Sequence, residues 1–212
     1  MNLPVLVLGA GGHAKVLIEA LLASSAVIAG ILDPEPSLAG TSLLGVPVLG
    51  GDQIVADFST SGILLVNGMG SVGLPIRRQR LYEHFRGKGY KFASVVHPSA
   101  IIASDAELNA GAQVMAGSII QPGCRIGCNA IINTKASVDH DCLIGDHVHI
   151  SPGVTLSGGV RIGAGCHLGT SATVIQGITI GMGSLVAAGA VVVSNVDSNT
   201  MVKGLPARTF QL

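Results

Sequence analysis

A repeat of six residues governs nearly half of this chain and leaves it few ways to fold. From Val96 to Val192 every sixth residue is Val, Ile or Leu, seventeen positions with no insertion. Two residues before each of these, from Ala100 to Ala190, runs a second column that is nearly all small or aliphatic. A helix repeats its apolar face about every 3.6 residues and a strand about every 2, so a strict six fits neither alone. It fits short strands separated by tight turns and stacked as a β-helix solenoid. Three hexads close one triangular coil, which places residues n and n+18 one above the other, about 4.8 Å apart.

The rest of the composition agrees with a narrow prism. Hydrophobic residues make up 48% of the chain and aromatic ones only 3%, while thirty glycines supply corners with positive φ. The formal net charge is zero and there is no Lys/Arg run, which argues against nucleic-acid binding through phosphate neutralisation. The start MNLPVLVLGA reads as a buried strand and not as a signal peptide. No apolar run reaches the roughly eighteen residues of a spanning helix, so membrane insertion is not expected and a cytoplasmic location is. Cys124, Cys142 and Cys166 fall in the small inward column, and Cys128 falls in a turn. With no C-x-x-C pair, neither a disulfide nor a zinc site is expected.

Residues ahead of the repeat follow another grammar. Val5–Leu8 is a short apolar run, the mark of a strand covered on both faces. Gly9-Ala10-Gly11-Gly12-His13-Ala14-Lys15 follows, and residues 16–22 then show helical spacing. Strand, glycine turn and helix form a phosphate-cradling arrangement, because amides at the helix start face an anion. A second strand over 27–32 ends at Asp33, placed to bond ribose hydroxyls. Residues 63–66 read as a third buried strand ending in Asn67-Gly68, and residues 75–85 as a helix with Arg77, Arg78 and Arg80 on a solvated face. About ninety residues make only half of a doubly wound unit. The expected division is a half-Rossmann-like nucleotide-binding domain over 1–93 and a β-helix with a C-terminal tail over 94–212.

Polar residues break the apolar pattern at one level of the solenoid, in Asn133-Thr134 and Asp139-His140-Asp141, with His147 and His149 after them. The eighteen-residue stacking puts His149 beside His167 and His140 beneath Gly158. A glycine over a histidine leaves room for a ligand and presents a backbone N–H, so His140 and Gly158 resemble a general base beside an oxyanion donor. His147, His149 and His167 are otherwise read as residues on a β-helix face. The histidine separations, with carboxylates adjacent only to His140, argue against a catalytic metal.

These residues carry a resemblance. Val7-Leu8-Gly9-Ala10-Gly11-Gly12-His13, Gly30-Ile31-Leu32-Asp33, Val95-Val96-His97-Pro98-Ser99-Ala100, the block from Asn133 through Asp139-His140-Asp141 to Gly145, and the tail Gly204-Leu205-Pro206-Ala207-Arg208 together resemble the NeuD/PglD family of bacterial sugar acyltransferases. The resemblance implies a left-handed parallel β-helix of the hexapeptide acyltransferase type behind an α/β nucleotide-binding domain, assembled as a homotrimer with sites between neighbouring prisms. It implies acetyl-CoA as co-substrate and a nucleotide-linked, UDP-type 4-amino-4,6-dideoxy sugar as acceptor. By motif position His140 is the base, and Asp141 its orienting acid, with Asp139 as a substitute. Asn133 and His149 contact the acetyl donor, the Gly158 amide faces the thioester oxygen, and Lys203 and Arg208 belong to the acetyl-CoA end. Gly11, Gly12, His13, Asp33, Asn67 and Gly68 form the nucleotide-sugar end. O-acetylation of a sialic-acid-type sugar, a non-catalytic sugar-nucleotide sensor and an NAD-dependent oxidoreductase stand as alternatives.

Overall fold

The structure, a computed structural model, describes residues 3–210. The N-terminal module contains β1 (Val5–Leu8), α1 (Gly12–Ala23), β2 (Ile28–Leu32), β3 (Ser42–Leu43), β4 (Val46–Gly50), β5 (Leu64–Asn67) and α2 (Ile76–Gly87). Its sheet order is β3-β4-β2-β1-β5. β1 lies between β2 and β5 and pairs with both in parallel, so its side chains are covered on both faces, as its unbroken apolar run requires. Residues 42–50 form a hairpin turning at Leu44-Gly45, both with positive φ.

From Val95 on, two-residue strands and four-residue turns wind a parallel β-helix with three faces. The n to n+18 register holds along each face, as in Ile101, Ile119, Ser137, Thr155, Thr173 and Val191. It contracts only at the top, where Leu185 pairs with Met201, and the chain closes with an antiparallel pair, Met201–Lys203 with Arg208–Phe210. Both sequence columns fill the axis, including Cys124, Cys142 and Cys166. At the open lower end Ile102 and Leu108 are only partly buried. Among the described residues no helix is long and apolar enough to cross a membrane.

A third column is set by the turns. Every sixth residue from Gly111 to Gly189 has positive φ, and glycine fills most of these corners. Asn129, Lys135, Asp141 and His147 occupy four consecutive corners in its place, followed later by Ser171. A side chain in this conformation costs on the order of 1 kcal/mol, least for Asn and Asp. Three of those four, Asn129, Asp141 and His147, bond to neighbouring side chains in the sites described next.

Candidate functional site

The N-terminal module lies on one face of the β-helix, and the two are joined by buried polar residues. Arg78 is 1% exposed, and its guanidinium donates to the carbonyls of Asn67 (2.9 Å), Met69 (2.7 Å) and Asn129 (3.4 and 3.3 Å). Burial lowers its pKa to about 9, so it remains charged near neutrality. The solvated face expected of the three arginines therefore holds for Arg77 and Arg80 but not for Arg78, which pins the two modules together. Asn67 also departs from its expected place. Its side-chain amide donates to the Arg78 carbonyl and to Asn129 Oδ1 and accepts from the Met69 amide, so it acts as a joint and does not reach toward a ligand. His147 contacts Asn129 at 3.0 Å and lies 3.8 Å from Glu83. His147, His149 and His167, read from the sequence as β-helix surface, are all buried.

Between the modules runs a cleft of about 670 Å³. One wall is the turn after β1, with Gly9, Gly11, Gly12 and His13, together with Asp33 and Gly68. The other is β-helix, with Asn133, Thr134, His149 and Pro152, and residues 69–72 bridge the two. α1 begins after Gly11 with no side-chain cap, so its first amides are left for an anion. Asp33 accepts from the amides of Ala10 (2.7 Å) and Glu35 (3.0 Å), which locks the glycine turn against the end of β2. Gln113 donates its amide N–H to the Asn67 carbonyl, so its oxygen must accept from His13 Nε2 at 2.8 Å. The His13 proton is thereby fixed on Nε2, and Nδ1 is left as an acceptor. Burial, with the nearby Arg78 charge, lowers the His13 pKa to about 4, so the ring is neutral.

The structure thus brings Gly11, Gly12, His13, Asp33 and Gly68 together and adds Asn133 and His149 to them. It places His140, Asp141 and Gly158 elsewhere, on the corner between the second face in chain order, that of Ser137–Val138, and the third, that of Leu143–Ile144. There Asp141 Oδ2 accepts from His140 Nδ1 at 2.8 Å, and Asp139 Oδ1 accepts from the His140 backbone amide at 2.8 Å. Asp141 therefore holds the His140 ring, and Asp139 caps the turn. The pair is solvent-exposed, and the hydrogen bond that His140 donates to Asp141, with the neighbouring carboxylate charges, raises the His140 pKa. A Cβ on Gly158 would lie 2.5 Å from His140 Cε1 and Nε2. Gly158 is required there, but its space is filled by the imidazole and not left open for a ligand. Its N–H donates to no described group. Cys142 stays in the axis, its thiol directed to the Ser157 carbonyl and its pKa pushed up to about 12 by burial, which argues against a thiol nucleophile. Lys203 and Arg208 lie on the exposed terminal hairpin, Lys203 Nζ 3.9 Å above the Phe210 ring, and neither lines the cleft.

Sequence reasoning missed Ser71, Gln113, Asn129 and the joint role of Arg78. The signal for Asn129 was present in the corner column, where it stands in place of glycine. Nothing in the sequence marks Ser71.

The six-residue solenoid behind an α/β module is the architecture of the hexapeptide-repeat acyltransferases of the left-handed β-helix type. Residues 123–158 match the bacterial transferase hexapeptide model, and residues 4–85 match the PglD N-terminal domain. Perosamine N-acetyltransferase from Caulobacter crescentus, solved as a mutant with CoA and GDP-perosamine, is 39% identical over 98% of this chain and 96% of its own, with a TM-score of 0.90. The acetyltransferase domain of PglB from Neisseria gonorrhoeae is 35% identical over 99% and 100%, also at 0.90. WeeI from Acinetobacter baumannii is 25% identical over 99% and 100%, at 0.80. No curated protein matches the chain. The chain belongs to the NeuD/PglD family of sugar acyltransferases.

Proposed function

We propose that this protein moves an acetyl group from acetyl-CoA to the 4-amino group of a nucleotide-linked 4-amino-4,6-dideoxyhexose, by direct transfer between two copies of the chain in a homotrimer. The observation that carries the reading is the corner where an oriented imidazole, His140, packs against Gly158, whose amide donates to no described group. Acetyl-CoA supplies the electrophilic carbonyl. His140, its Nδ1 proton held by Asp141, uses Nε2 to take the proton of the attacking amine as the C–N bond forms, worth roughly 10²–10⁴ in rate, and returns that proton to the sulfur as the C–S bond breaks and CoA leaves as the free thiol. The Gly158 amide meets the charge that develops on the thioester oxygen, on the order of 10²–10³ more. The nucleotide and diphosphate bind at Asp33, Gly11, Gly12, His13 and Gly68. Asn133 and His149 form the β-helix wall of that cleft, where sugar and acyl group meet. Lys203 and Arg208 hold the CoA end.

The separation of cleft and corner supports the intersubunit arrangement. Within one chain they lie a full β-helix face apart, roughly 20 Å at six residues per side. A second copy packed on that face brings the cleft of one to His140 of the other. The two relatives solved with CoA or acetyl-CoA, one also holding GDP-perosamine, support both substrates.

The test is a panel of UDP- and GDP-linked 4-amino sugars assayed with acetyl-CoA by thiol release, with the product checked for N- or O-acetylation. His140→Ala lowers kcat by at least about a hundredfold while the trimer mass and ligand binding persist. A fully active His140→Ala variant, or a stable monomer in solution, contradicts the reading. Because neutral His140 is the working form and its pKa is raised above 6.5, kcat/KM climbs with pH through a midpoint above that value. Asp141→Asn moves the midpoint down.

A further inference from the structure

Three hydrogen bonds on the β-helix wall of the cleft determine where one proton sits. The Thr134 backbone N–H donates to Asn133 Oδ1 at 2.8 Å, which fixes the orientation of the Asn133 amide. Its Nδ2 therefore faces His149 Nε2, at 3.1 Å. An amide nitrogen only donates, so His149 Nε2 must be the unprotonated, accepting nitrogen. Burial is the main cause that lowers the His149 pKa to about 2, and the nearby His167, His13 and Arg78 charges act in the same direction. The ring is neutral and carries its single proton on Nδ1. That proton points at Ser71 Oγ, 2.7 Å away.

Ser71 thus accepts from His149, and its own hydroxyl hydrogen is free for another partner. The residue lines the cleft on the segment that bridges the two modules. Asp33 and the α1 N-terminus lie toward the nucleoside and diphosphate end, while Asn133, Thr134 and Pro152 lie toward the β-helix. Among the described residues no lysine or arginine lines this cleft, but residues 69–72 also border a neighbouring cavity of about 680 Å³ lined by Arg77, Arg78 and Arg80. Both His149 ring nitrogens are taken up within the protein, so His149 does not itself bond a ligand.

We infer that Ser71 is a ligand-binding residue whose hydroxyl, set as a donor by the Asn133–His149 relay, bonds an acceptor oxygen on the hexosyl-phosphate side of the bound sugar nucleotide. Asn133 and His149 act through it as positioning residues. The inference rests on the sugar-nucleotide reading of the cleft but makes a claim that can be read without any ligand.

Two-bond ¹H–¹⁵N spectra of the imidazoles show His149 as the Nδ1–H tautomer in the wild-type protein. Asn133→Asp presents an acceptor in place of a donor, moves the proton to Nε2, and turns the Ser71 hydroxyl toward His149. Ser71→Ala and Asn133→Asp therefore each weaken binding of a UDP- or GDP-linked hexose by about tenfold, whereas Ser71→Thr keeps it within about threefold. Titration with UDP and GDP alone locates the bonded oxygen. An equal loss for the diphosphate assigns it to phosphate, and an unchanged diphosphate assigns it to the hexose. An Nε2–H tautomer in the wild type overturns the inference whatever the substrate is. So does Ser71→Ala binding as tightly as wild type. Failure of the wild-type protein to bind any nucleoside diphosphate removes the parent reading, and this inference with it.

Discussion

Two sets of residues hold the same place in the hexad and have opposite surroundings. Beneath the N-terminal module the outward residues Gln113, Ile131, His149 and His167 are all buried. On the third face the equivalent residues Glu107, Arg125, Arg161 and Thr179 are exposed. The repeat dictates what points inward, and the cover dictates what points outward. The axis is held by aliphatic burial, which tolerates any well-filled packing. Under the module, Arg78, Asn67, Asn129, Gln113 and the histidines bond through directional contacts that admit one pose. The axis makes the prism, and the joint places the glycine turn opposite Asn133 and Ser71.

The largest expected effect comes from cutting that joint while sparing the prism. Arg78→Met takes the donor from the Met69 and Asn129 carbonyls, at about 1–3 kcal/mol each before relief of the buried charge is subtracted, while the Asn67 carbonyl keeps Gln113. A net loss of about 3 kcal/mol is expected, and the contrast is sharpest if hydrogen exchange rises in the N-terminal module and not in the β-helix. Uniform loss across both would mean that they unfold as one unit.

Acid separates the two regions next. Burial lowers the pKa of His13 to about 4 and of His149 to about 2, and also lowers His147 and His167. Groups with depressed folded pKa values bind more protons when unfolded, so stability is complete well above pH 6.5 and falls below it. At pH 5 the loss from His13 and His149 is on the order of 2 kcal/mol each. His149→Gln should flatten that decline in a series of melts, and a decline unchanged by the substitution would place the sensitivity elsewhere. In the axis, by comparison, Ile132→Val should cost only about 0.5–1.5 kcal/mol, with no dependence on pH.

The two regions also differ in how far they can be read from sequence. The axis declares itself because every inward position obeys one rule, and the n+18 pairing, the Gly158–His140 contact and the buried cysteines follow by counting. The orienting role of Asp141 was the motif reading, and the geometry separates it from Asp139, which bonds the backbone. The joint has no period. Arg78 on a helix rich in charge looks solvated until an uncapped corner carbonyl at Asn129 is brought to it from a distant hexad. His149 and His167 were paired correctly by stacking, but their burial depends on a module whose docking no repeat encodes. Ser71 was illegible for the same reason, since its partner His149 is far along the chain.

His167 gives the smallest expected effect and the finest test of the joint. It is 8% exposed, its Nε2 lies 3.3 Å from Ser151 Oγ, and among the described residues its Nδ1 has no partner. A buried nitrogen without a partner costs about 1–3 kcal/mol, more than the roughly 0.5–1.5 kcal/mol a made hydrogen bond contributes. Losing His167 also leaves the buried Ser151 hydroxyl unpaired, which offsets the gain. His167→Leu removes that nitrogen and that bond, along with the edge contact to His149 at 4.8 Å. The stability change should therefore stay within about 1 kcal/mol and favour neither residue strongly. His149→Leu, which breaks the bonds to Ser71 and Asn133, should cost more than that. If calorimetry finds the two equally costly, His167 Nδ1 is bonded in solution, and the joint is as fully satisfied there as it is at Arg78.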